Sequence, residues 1–173
     1  MRQHPTRPGF TLIEVIVVIL MVAILSAVAV PRLANIGSSR AGVAARSIAR
    51  DLTYARERAI ATGTRTWVVF SPSTHSYSVL SEDPANPGRI GATTLTDPNG
   101  TGKPFVQYLN TGEYVGVTMS SAVFGTGSEV GFDWVGKPYS NSSTALSANG
   151  TITLSGGYSV TVEATTGLAK VLP

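Results

Sequence analysis

The sequence predicts an α+β protein in which one long N-terminal α-helix, about residues 10 to 62, packs against a C-terminal antiparallel β-sheet head. Three observations point there. From Phe10 to Val30 the chain reads FTLIEVIVVILMVAILSAVAV, a run whose single charge is Glu14. From Val43 to Thr62 apolar residues recur at three and four positions, as on one face of a helix. After Gly63 the pattern changes to short runs of β-branched and aromatic residues separated by Gly, Pro, Asn and Ser. At 173 residues the chain has room for one modest domain beyond the helix.

Residues 1–9, Met-Arg-Gln-His-Pro-Thr-Arg-Pro-Gly, carry Arg2 and Arg7 and no acid. The next segment, 10–30, spans roughly 31 Å as a helix, the thickness of a bilayer's hydrocarbon core. Two arginines ahead of such a run place the N-terminus in the cytoplasm and the head across the membrane. A secretory signal peptide shares the basic start and the apolar stretch. It wants a shorter apolar core and small residues at a cleavage site, and Ala29-Val30-Pro31-Arg32 fits that poorly.

Glu14 stands out. A carboxylate in an apolar helix costs about 2.5–3.5 kcal/mol on insertion scales, so it calls for a partner or a purpose. A plainer reading is that it lies near the helix start and reaches back to the headgroups.

Gly9-Phe10-Thr11-Leu12-Ile13-Glu14, with a short basic stretch before it and an unbroken apolar run after it, resembles the type IV prepilin signature. The resemblance implies a leader over residues 1–9, cleavage between Gly9 and Phe10 by a membrane prepilin peptidase, and N-methylation of Phe10. It also implies that the apolar segment stays with the finished chain and serves both as membrane anchor and as assembly stalk. The new amine at Phe10 would then lie one helical turn from Glu14. Pairing the two, within one subunit or between neighbours, offsets much of the cost of burying either charge. The implied partners are other pilin or pseudopilin subunits, the peptidase and an inner-membrane assembly platform.

Pro31 removes a backbone donor and clashes with the preceding turn, so a kink is expected there. Residues 31–62 read as the amphipathic half of the helix, with Ile48, Leu52, Ala55 and Ala59 on the packing face and Gly63 as terminator. Arg56 and Arg58 read as a solvated face. The stretch Leu52-Thr53-Tyr54-Ala55-Arg56-Glu57-Arg58-Ala59-Ile60 resembles the close of the long helix in the GspH/FimT group of minor pseudopilins and minor pilins. Val68-Val69-Phe70, then Val130-Gly131-Phe132-Asp133 and Gly136, continue that resemblance.

Residues 63–173 read as the β-rich head. Expected strands are Arg65 to Phe70, Ser76 to Leu80, Phe105 to Leu109, Tyr114 to Met119, Glu129 to Val135, Thr151 to Leu154, Tyr158 to Ala164 and Leu168 to Leu172. Ser155-Gly156-Gly157 and Thr165-Thr166-Gly167 suggest two successive hairpins closing the chain. Stretches 81–104 and 136–150 read as long surface loops.

The inventory excludes most chemistry. With no cysteine and only His4 and His75, thiol catalysis, disulfides and multi-histidine metal sites fall away. His75 beside a turn reads as simply exposed, and Asp83, Asp97 and Asp133 are too scattered for a calcium loop. No catalytic residue, metal or cofactor is expected. Charge is segregated, with net +5 over residues 32–65 and net −3 over 66–173. That suggests attraction between the basic helix of one subunit and the acidic head of another, Arg46 and Arg50 being the natural probes; solubility of an exposed helix is the plain alternative. The expected role is a structural subunit that joins a type II secretion pseudopilus or a type IV pilus at or near its tip. The alternative is a tip subunit that binds DNA or a surface. The head's negative balance, and Leu168 after Gly167 where relatives often carry Arg, speak against nucleic acid.

Overall fold

The structure is a computed structural model that describes Gly9, residues 11–100, 102–140 and 144–173, without the side chains of 28–36. Residues 1–8 of the expected leader, and Phe10, lie outside the described residues. The chain divides into two units at Ile36 and Gly37, and one helix, α1 (Leu12–Thr62), contributes to both.

In the first unit Thr11 caps α1: its Oγ1 accepts the amide of Glu14 at 3.3 Å, and its carbonyl accepts the amides of Glu14 and Val15. That satisfies donors which every helix start leaves open. The helical assignment continues through Pro31.

In the second unit the helix presents Ala41, Ala45, Ile48, Leu52, Ala55 and Ala59, each at most 1% exposed, as one continuous seam. Spacings of four and three keep these residues on one face. Four of the six are alanine, so the backbone of α1 can lie close to the sheets. Gly63 at φ +66 ends the helix, as expected, since a left-handed residue there carries no steric cost for glycine.

Two antiparallel sheets receive that seam. The larger holds β1 (Thr66–Ser71), β2 (Ser76–Ser81), β3 (Thr93–Thr94), β4 (Val106–Tyr108), β6 (Glu129–Phe132), β7 (Pro138–Ser140) and β8 (Thr144–Ala145). Its order is β3-β2-β1-β6-β7-β8, with β4 also paired to β2. The smaller sheet runs β11 (Ala169–Leu172), β10 (Ser159–Val162), β9 (Gly150–Leu154), β5 (Met119–Val123). Val68, Phe70, Val79, Val130 and Phe132 from the first and Met119, Ile152, Leu154, Val160 and Val162 from the second form one core with the helix seam. Trp67, alternating with Val68, is buried on the far side of its sheet, where its ring meets Tyr139 edge to face at 6.4 Å. Gly131 makes that possible: a Cβ there would come within 2.8 Å of both rings.

Three expectations need correction. The strand expected over Tyr114 to Met119 is instead a 3-10 turn, Gly112–Tyr114, with the strand following at Met119–Val123. Gly116 takes φ +87 and its amide is held by Asn110 Oδ1 at 2.9 Å, which bends the chain where alternation of Val115, Val117 and Met119 mimics a strand. The strand from Glu129 stops at Phe132 because Asp133 Oδ1 accepts the amides of Val135 and Lys137 at 3.0 and 2.8 Å, closing a tight turn. The two long stretches expected as loops contribute short strands to the larger sheet, β3 from the first and β7 and β8 from the second.

Candidate functional site

The residues the sequence singles out for assembly cluster at the chain's start. Gly9 is exposed, Phe10 lies outside the described residues, and Glu14 is an exposed residue in the first turn of α1. Thr11-Leu12-Ile13-Glu14 also has the spacing of a capping box, with Glu14 near the positive end of the helix dipole. Every large apolar side chain from Leu12 to Leu25 is at least 43% exposed. A helix apolar on all sides does not face water in a folded protein, so this surface is built to be covered by lipid or by other helices. Among the described residues no helix is long and apolar enough to cross a membrane. The described apolar side chains here cover only residues 11–27, fewer than the about 20 a span needs.

Where α1 leaves the head, Arg56 departs from the solvated role expected of it. Its Nε donates to the carbonyls of Gly136 and Thr166 at 3.2 and 3.0 Å, tying the β6–β7 turn and the β10–β11 turn to the helix. Both turns depend on glycines at positive φ, Gly136 at +82 and Gly167 at +70. A Cβ on Gly136 would lie 2.8 Å from Ile60 Cδ1, and one on Gly167 would lie 2.6 Å from the Gly136 carbonyl. The Ala-Arg of the helix and these glycines, matched separately to one family's pattern, therefore meet as one clamp.

A second polar feature is invisible to pattern reading. Asp51, 4% exposed, accepts the hydroxyl of Tyr77 at 2.7 Å through Oδ2 and Arg50 Nε at 3.2 Å through Oδ1. Tyr77 is itself 2% exposed. Burial raises the Asp51 carboxyl above its usual range, while Tyr77 and Arg50 pull the other way; burial and then the neighbouring Asp51 push the Tyr77 hydroxyl well up. The available signal is that Asp51 follows Ile48 by three and precedes Ala55 by four, so the acid falls on the apolar seam. His75 is likewise not simply exposed: it is half-buried, with Nδ1 at 3.2 Å from the amide nitrogen of Met119. Arg46 lies exposed on the helix, and Arg50 is engaged by Ser47 and Asp51.

Nothing in these arrangements makes a nucleophile, an acid–base pair or a substrate cleft; they hold a helix on a head. The family model for "Type II transport protein GspH" matches residues 44–167, and that for "Prokaryotic N-terminal methylation motif" matches residues 6–30. Two solved structures of the minor pseudopilin EpsH from the type II secretion system of Vibrio cholerae share the fold. One has a TM-score of 0.55 at 15% identity, over 77% of this chain and 96% of that one. The other has 0.56 at 14% identity, over 78% and 97%. No curated protein matches the chain in sequence. Family, motif and fold agree on a pilin-like structural subunit, a minor pseudopilin or minor pilin, and not an enzyme. With most of its length covered by the one family model, the chain belongs to the GspH family of type II transport proteins.

Proposed function

We propose that the chain is made as a prepilin, anchored in the inner membrane by residues 10–30 with its N-terminus cytoplasmic and its head periplasmic, and cut between Gly9 and Phe10. The prepilin peptidase then methylates Phe10, and an inner-membrane platform draws the subunit into a pseudopilus or pilus, at or near the tip. The observation that carries this reading is the methylation motif over residues 6–30, whose helical part exposes its apolar side chains on every side. Glu14 is the charge partner of the Phe10 amine of its own or a neighbouring subunit, and it sets the register along the filament. Pro31 bends the helix between the part that packs in the filament and the part that carries the head.

The test is Glu14→Ala in the cell that makes the protein. Processing to Phe10 is expected to proceed, while incorporation with the partner subunits falls by about tenfold or more, as for the loss of a buried charge pair. Normal co-assembly of the variant would refute the charge-pair role. A DNA-binding tip finds no support: Lys170, the one base of the final hairpin, is ion-paired with Glu163.

A further inference from the structure

The head has two ends along α1. Near one, Gly156 stands against Ser38 and Ala41; near the other, Gly136 stands against Arg56 and Ile60. From residue 41 to residue 60 the helix rises about 28 Å, so the two ends are separate surfaces.

The end beside Arg56 carries a cavity of about 200 Å³ lined by Arg65, Asp133, Trp134, Lys137 and Tyr139 among others. The Arg65 guanidinium lies over both aromatic rings, 5.9 Å from the Trp134 centroid and 5.8 Å from that of Tyr139. A guanidinium stacked on rings keeps its planar N–H edge for a ligand, and that edge matches a carboxylate. Neither Arg65 nor Lys137 forms an ion pair among the described residues. The lining holds two cations to one acid, and that acid, Asp133, accepts the amides of Val135 and Lys137 through Oδ1. Beside the two cations the surface is apolar and open: Trp134 is 55% exposed and Val135 69%.

Resting on the assembly reading above, we propose that this cavity receives an Asp or Glu side chain, with an apolar neighbour, from a different pilin-like subunit. The carboxylate docks on the Arg65 edge with Lys137 alongside, and the apolar neighbour covers Trp134 and Val135. A second copy of this chain stacked end to end does not fit. Its opposite end offers Arg40, exposed and bonded to the Val115 carbonyl, and a groove in which Glu113 is outnumbered by Arg46 and Arg50. Two basic surfaces would meet, which is unfavourable.

The chain has no cysteine, so Val135→Cys gives a unique attachment point for a benzophenone photo-crosslinker in the full-length protein within membranes of its own cell. The expected product joins residue 135 to an acid-bearing peptide of another pilin-like subunit. Its yield should fall about tenfold with Arg65→Glu or with Lys137→Glu, at unchanged amounts of membrane-bound chain. Changing the captured acid to Arg should restore it in the Arg65→Glu background. Lys137→Glu decides the matter if Arg65→Glu does not accumulate, because the Lys137 side chain is exposed. Undiminished yield in both variants, no recovery on charge exchange, or capture of a second copy, of DNA or of polysaccharide would overturn the proposal. Val43→Cys, exposed on the helix, is the control: pilin-like peptides captured there but not at 135 sink the cavity alone, and capture at neither site sinks the assembly reading with it.

Discussion

Asp51 and Tyr77 should behave as one unit, and removing either should cost the head a large share of a small domain's stability. The Tyr77 hydroxyl donates to Asp51 Oδ2 at 2.7 Å between residues that are 2% and 4% exposed. A hydrogen bond to a charged group is worth about 1.5–3 kcal/mol, and a buried hydroxyl left without an acceptor costs about 1–3 kcal/mol. Asp51→Ala and Tyr77→Phe are therefore each expected to lose about 2 kcal/mol, and the double variant scarcely more than either. Asp51→Asn keeps an oxygen for Tyr77 and forgoes only the pairing with Arg50, whose side chain is 66% exposed, so it should stay within about 1 kcal/mol of the parent. The sign with pH follows from burial. The folded-state pKa of Asp51 lies above its unfolded value, so the parent is favoured below the ordinary carboxylate pKa and loses stability as pH rises through the raised one. Asp51→Asn lacks that loss, and its stability relative to the parent should climb across that window and then level. Urea unfolding of the full-length chain in detergent micelles, followed by tryptophan fluorescence from pH 3 to 8, measures both effects. Additive costs for the pair, or an Asp51→Asn difference flat across the window, would refute the reasoning.

Two further predictions rest on tight contacts in the head. Arg56→Ala removes both carbonyl contacts to the turns at Gly136 and Thr166; a loss of about 1–2 kcal/mol and faster proteolysis within 133–137 and 165–167 are expected. A melting temperature within about 1 °C of the parent would contradict that, since such a loss shifts a domain of this size by several degrees. Gly150→Ala would drive a Cβ into the ring of Phe124, which is fully buried and stacked on Phe70 at 5.6 Å. The ring cannot yield without moving Phe70, so destabilisation of about 2–3 kcal/mol is expected in the same urea assay, and a neutral substitution would contradict the packing.

Local periodicity made part of this fold legible. Ile48, Leu52, Ala55 and Ala59 define the buried seam because a helix repeats its contacts every three or four residues, and all four are at most 1% exposed. The closing hairpins could be read from Ser155-Gly156-Gly157 and Thr165-Thr166-Gly167, since the turn residues sit between well-formed runs. Strands of two or three residues, such as Thr93–Thr94 and Pro138–Ser140, are too short to show alternation and exist only because a neighbour pairs with them. Val115, Val117 and Met119 alternate like a strand, but Gly116 in the left-handed region bends it. The residues proposed for assembly, Gly9, Phe10 and Glu14, lie within six positions, close enough for a local motif to mark them. Arg56 with Gly136 and Thr166, Asp51 with Tyr77, and Arg65 with Trp134 were not, because the fold joins residues 26 to 110 positions apart.

The first residue of the finished polypeptide separates a retained assembly stalk from a discarded signal. Intact-mass and N-terminal peptide mass spectrometry of the chain purified from membranes of the cell that makes it gives the answer in one measurement. The predicted first residue is a methylated Phe10, followed without a break by the apolar helix. A chain that still begins at Met1, or one that begins beyond Val30, would contradict the account.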